Sequence, residues 1–294
     1  MADDLISISS GLLTARINPL GAELTSLTDS TGAEYMTDAD PAFWGGHAPV
    51  LFPIVGSLVD DTYRLGDARY HLARHGFART SRFEVLAVEE DFAVFGLSDS
   101  AATRAVYPFA FRLALAFRVT EGRLHMAATV TNPGDHAMPF SLGYHPAFAW
   151  PLPGGAAKAA HRIVFAQEEP APVRRVSTAT GQMLPEKEAT PVVGRDLALS
   201  PDLFKADAVI WDEMASRSLS YGADGGAWLD IAYPDTPYLG LWQVPGAHYL
   251  CIEPWAGHAD PEGYAGDFAQ KPGIVTLEPG RSRSFRMDVS LRTR

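Results

Sequence analysis

The chain alternates apolar and polar residues with a period of two over several long stretches. Residues 111–119 carry Phe, Leu, Leu, Phe and Val at every second position, with Arg or Ala between them. The same alternation returns in residues 124–130 and 285–291. Because successive side chains of a strand point to opposite faces of a sheet, this pattern predicts half-buried antiparallel strands. Shorter strands are predicted at 5–9, 12–17, 82–88, 92–97, 216–221, 228–233, 238–243 and 248–253.

Gly and Pro punctuate the chain and leave little room for helices. There are 26 Gly and 22 Pro, and they form turn signals such as Glu121-Gly122 and Pro279-Gly280 between the predicted strands. No long stretch shows the 3.6-residue period of an amphipathic helix. Many short strands separated by frequent turns predict an all-β fold, an antiparallel sandwich or barrel.

Residues 151–201 differ from the rest in composition. They hold 7 of the 22 Pro and show little alternation. Two interpretations are open: an interdomain linker, or a set of excursions from one sandwich. We favour excursions, and therefore a single domain over residues 1–294, because both flanking regions show the same strand pattern.

Composition narrows the classes of function. The 294 residues are 47% apolar and 20% charged, with a net charge of -11, which is ordinary for a globular protein and argues against nucleic acid as a partner. The single cysteine, Cys251, excludes an intrachain disulfide and a metal cage of several thiolates. No signal peptide is recognisable, and no apolar stretch approaches the roughly 20 residues of a membrane span. We therefore expect a cytoplasmic protein without a membrane partner.

Three segments each place a proton-transfer residue beside Gly or Pro, at the end of an apolar or aromatic run. In a sheet protein such a residue is expected at a strand end or bulge, where its side chain faces a cleft. Aromatic neighbours then desolvate it and raise the pKa of a carboxyl group toward neutrality. The three residues are His75 in 72–79, His145 in 139–148 and Glu253 in 250–255.

These segments, with residues 44–56, resemble the aldose 1-epimerase (mutarotase) family, and most closely its bacterial branch encoded with lactose operons. The resemblance extends over nearly the whole chain. It implies a single large antiparallel β-supersandwich, galactose mutarotase-like, with a sugar in a cleft on one concave sheet face and no metal cofactor. The matching motifs are Leu51-Phe52-Pro53, His75-Gly76-Phe77-Ala78-Arg79, Tyr107-Pro108-Phe109, Gly143-Tyr144-His145-Pro146-Ala147-Phe148, Glu253-Pro254-Trp255 and Lys271-Pro272-Gly273.

The resemblance also implies roles for individual residues. Anomer exchange needs one base on the C1 hydroxyl and one acid on the ring oxygen, and no nucleophile or redox group. Glu253 is implied as the base, His145 as the acid and His75 as a residue that holds or polarises the sugar. An aspartate on the sugar hydroxyls best matches Asp207, with Asp202 and Asp212 close by in the sequence.

Further side chains are predicted to contact the sugar. Arg79 and Arg74 are candidates to donate to hydroxyls or ring substituents, the alternative for each being a structural Arg paired with a carboxylate. Trp255 and Phe52 are candidates to line the cleft, since sugar C–H faces stack on aromatic rings, the alternative being core aromatics.

Other functions find weaker support. His71 and His75 have helix-type ligand spacing, but a Glu at the required position is missing. Serine-nucleophile and phosphate-loop motifs are absent.

Two alternatives stay open: a noncatalytic sugar-binding protein, and an epimerase for an anionic sugar such as a hexose 6-phosphate. The latter needs several cations at one spot, for which Arg64, Arg74 and Arg79 are close in sequence. We expect the protein to be a monomer or a homodimer.

Overall fold

Antiparallel strands account for most of the regular structure in the computed structural model, which describes residues 4–292. The strands in chain order are β1 (Ile6–Ser9), β2 (Leu13–Asn18), β3 (Glu23–Asp29), β4 (Val50–Leu51), β5 (Thr62–Leu65), β6 (Ala68–His71), β7 (Glu84–Val88), β8 (Phe92–Ser98), β9 (Arg112–Thr120), β10 (Arg123–Thr131), β11 (Met138–Phe140), β12 (Leu142–Tyr144), β13 (Ala147–Ala149), β14 (Arg162–Phe165), β15 (Val173–Val176), β16 (Met183–Glu188), β17 (Asp196–Ala198), β18 (Val209–Trp211), β19 (Ser218–Gly222), β20 (Trp228–Ala232), β21 (Tyr238–Trp242), β22 (Tyr249–Ala256), β23 (Val275–Leu277) and β24 (Ser282–Arg292).

Helices within the described residues are short. One α-helix, α1 (Ala101–Val106), was not predicted; its start is fixed by a capping box in which the Ser100 side chain accepts from the Thr103 N–H. None of the helices in residues 4–292 has the length and apolar character that a membrane crossing requires. The 3₁₀ turns lie at Val59–Asp61, Ala78–Thr80, Lys158–Ala160, Pro201–Phe204 and Phe268–Gln270.

Two large sheets dominate the fold. The first has nine strands in the order β17-β14-β19-β20-β24-β10-β9-β8-β7. The second has eight, in the order β16-β15-β18-β21-β22-β12-β4, with β13 also paired to β22. The predicted all-β architecture is confirmed. The proline-rich stretch 151–201 supplies β14 and β17 to the first sheet and β15 and β16 to the second.

The predicted alternation marks the inner face of the nine-stranded sheet. On β9, the side chains at 113, 115, 117 and 119 are buried, and β10 buries 124, 126, 128 and 130. On β24, Phe285, Met287 and Val289 are buried and Leu291 is partly buried. These residues share one core with Leu241 and Ile252 of the eight-stranded sheet, so the two sheets pack face to face.

Strand β22 differs because it is buried along its whole length. It lies in the interior of its sheet, and Leu250 and Ile252 point into the core between the sheets. Cys251, Glu253 and Trp255 therefore point to the opposite face. That second face carries a separate cluster of buried apolar residues, including Val55, Ile210 and Trp255, and there the sheet forms a cleft.

Candidate active site

A cavity of about 230 Å³ opens on this outer face of the eight-stranded sheet. Seven of the eight predicted site residues line it, although they come from segments far apart in the sequence. They are Arg74, His75, Arg79, His145, Asp207, Glu253 and Trp255.

Phe52 is the exception, and the structure corrects its expected place at the cleft. Its ring is fully buried in the core, where it packs on Phe77, Phe111 and Phe140. Its backbone serves the site instead, because the Phe52 carbonyl accepts hydrogen bonds from the N–H groups of Phe77 and Ala78, both at 3.1 Å. Phe52 thus holds the segment that follows His75 without contacting the cavity.

His145 lies at an interruption in the sheet, as its Pro neighbour predicted. β12 ends at Tyr144 and β13 begins at Ala147, and both strands pair with β22. Between them, the Pro146 carbonyl accepts the Ile252 N–H at 3.1 Å. Glu253 was also expected at a strand end, and that expectation is wrong: it lies inside β22, opposite the gap between β12 and β13.

This register brings His145 and Glu253 side by side. His145 Nε2 lies 3.2 Å from Glu253 Oε2, and both side chains are buried. Burial raises the pKa of Glu253 well above its ordinary value; the Arg74 charge lowers it and the Asp207 charge raises it further. Burial also lowers the pKa of His145 to about 3. Both directions favour the carboxyl group as the holder of the proton in this pair.

His75 is fixed by an unusual backbone conformation. His75 and Gly76 both have positive φ, 69° and 71°. A Cβ on Gly76 would lie 2.4 Å from the Phe52 carbonyl oxygen, so this close approach requires glycine. The Gly56 N–H donates to His75 Nδ1 at 3.1 Å, which leaves the proton on Nε2 when the ring is neutral. Burial, His145 and the neighbouring arginines lower the pKa of His75, so the neutral donor form prevails.

Two guanidinium groups also line the cavity. Neither Arg74 nor Arg79 has a hydrogen bond or an ion pair with any residue in the range 4–292. Burial, followed by the charge of Arg74, lowers the pKa of Arg79. The charge of Glu23 acts in the opposite direction and raises the pKa of Arg79, although the two side chains form no ion pair within 4.0 Å. Arg64 lies elsewhere, on a separate cavity that also includes His71.

Of the three aspartates considered, Asp207 faces the cavity. It has a positive φ of 65°, and its Oδ1 accepts the Ala208 N–H at 2.7 Å. Asp202 instead pairs with Lys205 at 2.8 Å on the surface, and Asp212 pairs with Arg174 at 2.5 Å.

Aromatic rings form the remaining walls. Trp255 lies between Gly143 and Gly240, where any Cβ would approach its ring to 2.5 Å. Its indole N–H lies against the Glu253 carboxylate without a well-aligned hydrogen bond to any described residue, and it lowers the pKa of Glu253. Trp44 and Trp242 pack around His145, with ring centroids 5.0 and 5.8 Å from the imidazole.

The sequence of the chain matches those of known proteins over nearly its whole length. The family model described as Aldose 1-epimerase matches residues 4–290. The chain belongs to the aldose 1-epimerase family. It is 30% identical over 296 residues to protein LacX (chromosomal) of Lactococcus lactis subsp. lactis, covering 97% of this chain and 99% of that one. The predicted likeness to the lactose-operon branch is thereby confirmed.

Solved structures of similar proteins have the same fold. A galactose mutarotase related enzyme from Lactobacillus acidophilus is 33% identical, with a TM-score of 0.91 over 98% of this chain and 97% of that one. A galactose mutarotase-like protein from Lactobacillus casei is 30% identical, with a TM-score of 0.88 over 98% and 100%. The predicted supersandwich is confirmed.

Sequence reasoning missed the apolar part of this family member's cleft. Val55, Val176, Ile210 and Ala259 line the cavity, each from a different segment. No local signal distinguishes such residues from core residues, because each is an ordinary apolar residue on a strand or loop.

One group in the described residues has the spacing of metal ligands: His145, Cys251 and Glu253. The His71 and His75 pair does not, since the two face different cavities.

Proposed function

We propose that the protein is an aldose 1-epimerase that interconverts the α and β anomers of a free hexose by ring opening and reclosure. The observation that carries this proposal is the buried contact of 3.2 Å between His145 Nε2 and Glu253 Oε2. The C1 hydroxyl and the ring oxygen of an aldose are bonded to the same carbon, so neighbouring acid and base groups can reach both at once.

Every proton that the sugar loses or gains in this reaction is exchanged with Glu253 or His145. In the sugar complex, the one proton of the pair first passes from Glu253 to His145 across their contact of 3.2 Å. Glu253 then takes the proton of the C1 hydroxyl while His145 gives its proton to the ring oxygen, and the C1–O5 bond breaks to leave the aldehyde. Rotation about C1–C2 presents the other carbonyl face. On closure, His145 takes back the proton of the C5 hydroxyl and Glu253 returns its proton to the new C1 hydroxyl. The open-chain state thus has a protonated Glu253 and a neutral His145, the arrangement that burial favours.

The other cavity residues bind and orient the sugar in this scheme. His75 donates from Nε2 to a sugar oxygen and polarises the anomeric region, as befits a neutral imidazole whose Nδ1 accepts from Gly56. Asp207 accepts from sugar hydroxyls. Trp44 and Trp242 offer ring surface to the sugar C–H groups.

Polarimetry on freshly dissolved α-glucose and α-galactose tests the proposal, with the spontaneous rate subtracted. Glu253→Gln is expected to lose about 10²–10⁴ in rate, the usual share of a general base. Glu278→Gln is the matched control, since Glu278 also precedes Pro but is exposed, and it keeps the wild-type rate. An unchanged rate in Glu253→Gln rejects the base assignment. Sugar binding without turnover by the wild type supports the noncatalytic alternative.

A second candidate substrate, an anionic sugar such as a hexose 6-phosphate, is favoured by one observation: two guanidinium groups that form no ion pair within residues 4–292 face one cavity. The net charge of -11 opposes it only through weak long-range repulsion. Comparing kcat/KM for glucose and glucose 6-phosphate decides between them. If the phosphate binds here, Arg79→Gln raises KM for glucose 6-phosphate far more than KM for glucose.

We further propose that the protein acts in the cytoplasm without a catalytic metal, and that its partner is a small sugar and neither nucleic acid nor a membrane. The acidic charge supports this, because nucleic-acid affinity depends on clustered cations. Light scattering after gel filtration decides between the monomer and the homodimer.

A further inference from the structure

We infer that His145, Cys251 and Glu253 form a binding site for a soft divalent cation such as Zn²⁺ or Cd²⁺. Each residue offers one ligand atom, and the three atoms lie within 4.8 Å of one another. All three residues are buried. Imidazole nitrogen, thiolate sulfur and carboxylate oxygen are the three ligand types that zinc takes in proteins, at about 2.0–2.3 Å.

The backbone holds this cluster in place before any metal arrives. Cys251 and Glu253 are two residues apart on β22 and therefore share a face of the sheet. β22 is hydrogen-bonded on both sides at this point, where Cys251 is the register partner of Ala147 on β13 and of Trp242 on β21. The Ala147 pairing brings the neighbouring His145 against the same face.

The ligand atoms also have few competing partners. The thiol of Cys251 makes no hydrogen bond to any residue in the range 4–292, so a cation that binds the sulfur displaces only the thiol proton. His145 Nε2 and Glu253 Oε2 lie 3.2 Å apart, which is the separation of two ligand atoms that share one zinc ion at about 2 Å.

Charge balance allows a dication in this buried place. Binding replaces the thiol proton of Cys251 and the proton held by the His145 and Glu253 pair, and both protons leave to solvent. The resulting thiolate and carboxylate neutralise the two positive charges of the cation. Arg74 and Asp207 both line the neighbouring cavity, so their opposite charges offset each other near the cation.

Three protein ligands leave the fourth tetrahedral position free. The thiolate makes the site selective for soft cations, so Cd²⁺ and Zn²⁺ bind and Mg²⁺ does not. On the proposed function, the cation removes both the acid and the base. Cation binding therefore inhibits anomer exchange, and a chelator restores it.

Cd²⁺ titration of the intact protein tests the site without relying on turnover. The expected result is one Cd²⁺ per chain by equilibrium dialysis, together with the ultraviolet charge-transfer absorption of a Cd–thiolate bond. Because Cys251 is the only cysteine, any such absorption reports on this residue. If the wild type shows no thiolate absorption at excess Cd²⁺, the site does not exist.

Two variants separate this site from adventitious binding. Cys251→Ser keeps the size of the side chain and Cys251→Ala removes the ligand; both are expected to keep sugar turnover while losing at least tenfold in Cd²⁺ affinity. His136→Gln is the control, because His136 is an exposed histidine beside Asp135, and it leaves the affinity unchanged. Equal inhibition of wild type and Cys251→Ala overturns the proposal. Cd²⁺ binding by a protein that turns over no sugar rejects the proposed function and leaves the metal site standing.

Discussion

The Gly56 N–H donates to His75 Nδ1 at 3.1 Å, so a backbone amide sets the tautomer of a buried histidine in the cleft. A neutral ring that accepts at Nδ1 carries its proton on Nε2. Burial lowers the pKa of His75, and the charges of His145, Arg74 and Arg79 lower it further. His75 thus acts as a neutral hydrogen-bond donor across the physiological pH range.

His75→Gln is expected to reduce the acid sensitivity of the fold. The pKa of His75 is lower in the folded protein than in the unfolded chain, where it is near 6.5, so the unfolded state binds more protons as pH falls below 6.5. Stability is therefore present above this pH and lost below it. Removing the histidine lowers the slope of unfolding free energy against pH by up to about 1.4 kcal/mol per pH unit. Urea unfolding between pH 7 and pH 5 measures the slope; equal slopes for variant and wild type contradict the buried neutral state.

Gly76→Ala is expected to damage both the fold and the site. Its Cβ would meet the Phe52 carbonyl oxygen at 2.4 Å, and its φ of 71° is strained for any L residue, so we expect a loss of more than about 2 kcal/mol in unfolding free energy. Gly66→Ala is the matched control, since Gly66 has a φ of 56° and open space around it. That variant isolates the backbone strain, about 1 kcal/mol. If the two variants lose equal stability in urea, the steric contact with Phe52 has no part in the effect.

Asp207→Asn is expected to weaken sugar binding and to shift the pH profile. The charge of Asp207 raises the pKa of Glu253, so its removal lowers that pKa and moves the acidic limb of kcat to lower pH. KM rises at the same time, because the amide accepts sugar hydroxyls less well than a carboxylate. Asp202→Asn serves as control on the surface. A polarimetric profile that stays in place in Asp207→Asn shows that the two carboxyl groups are not coupled.

Trp255→Phe is expected to shift the acidic limb of the kcat profile to higher pH. The indole N–H lowers the pKa of Glu253, so a ring without this group raises that pKa and moves the acidic limb of kcat to higher pH. Phe keeps an aromatic ring in the space between Gly143 and Gly240. Trp228→Phe is a control far from the cleft, with Arg162 and Arg292 over its ring. A shift to lower pH would mean that the indole acts on Glu253 by burial and not by its N–H.

The sequence by itself predicted the strands and the motifs of the candidate site. Alternation over 111–119 and 124–130 predicted the inner face of β9 and β10, because a half-exposed strand must place apolar side chains on one side. The Gly and Pro beside His75 and His145 marked positions where regular structure stops. The family motifs pointed to these residues and to Glu253 before any geometry was known.

The tertiary structure decided which distant segments of the chain meet at the cleft. Alternation tells which side chains share a face of one strand, but not which segments meet across a cleft, and β22 is buried on both faces and so shows no alternation at all. For this reason the sequence could not place Phe52 in the core, Arg74 and Arg79 at one cavity, or His145 beside Cys251 and Glu253. Each of these depends on long-range pairing of strands and loops, which no local pattern encodes.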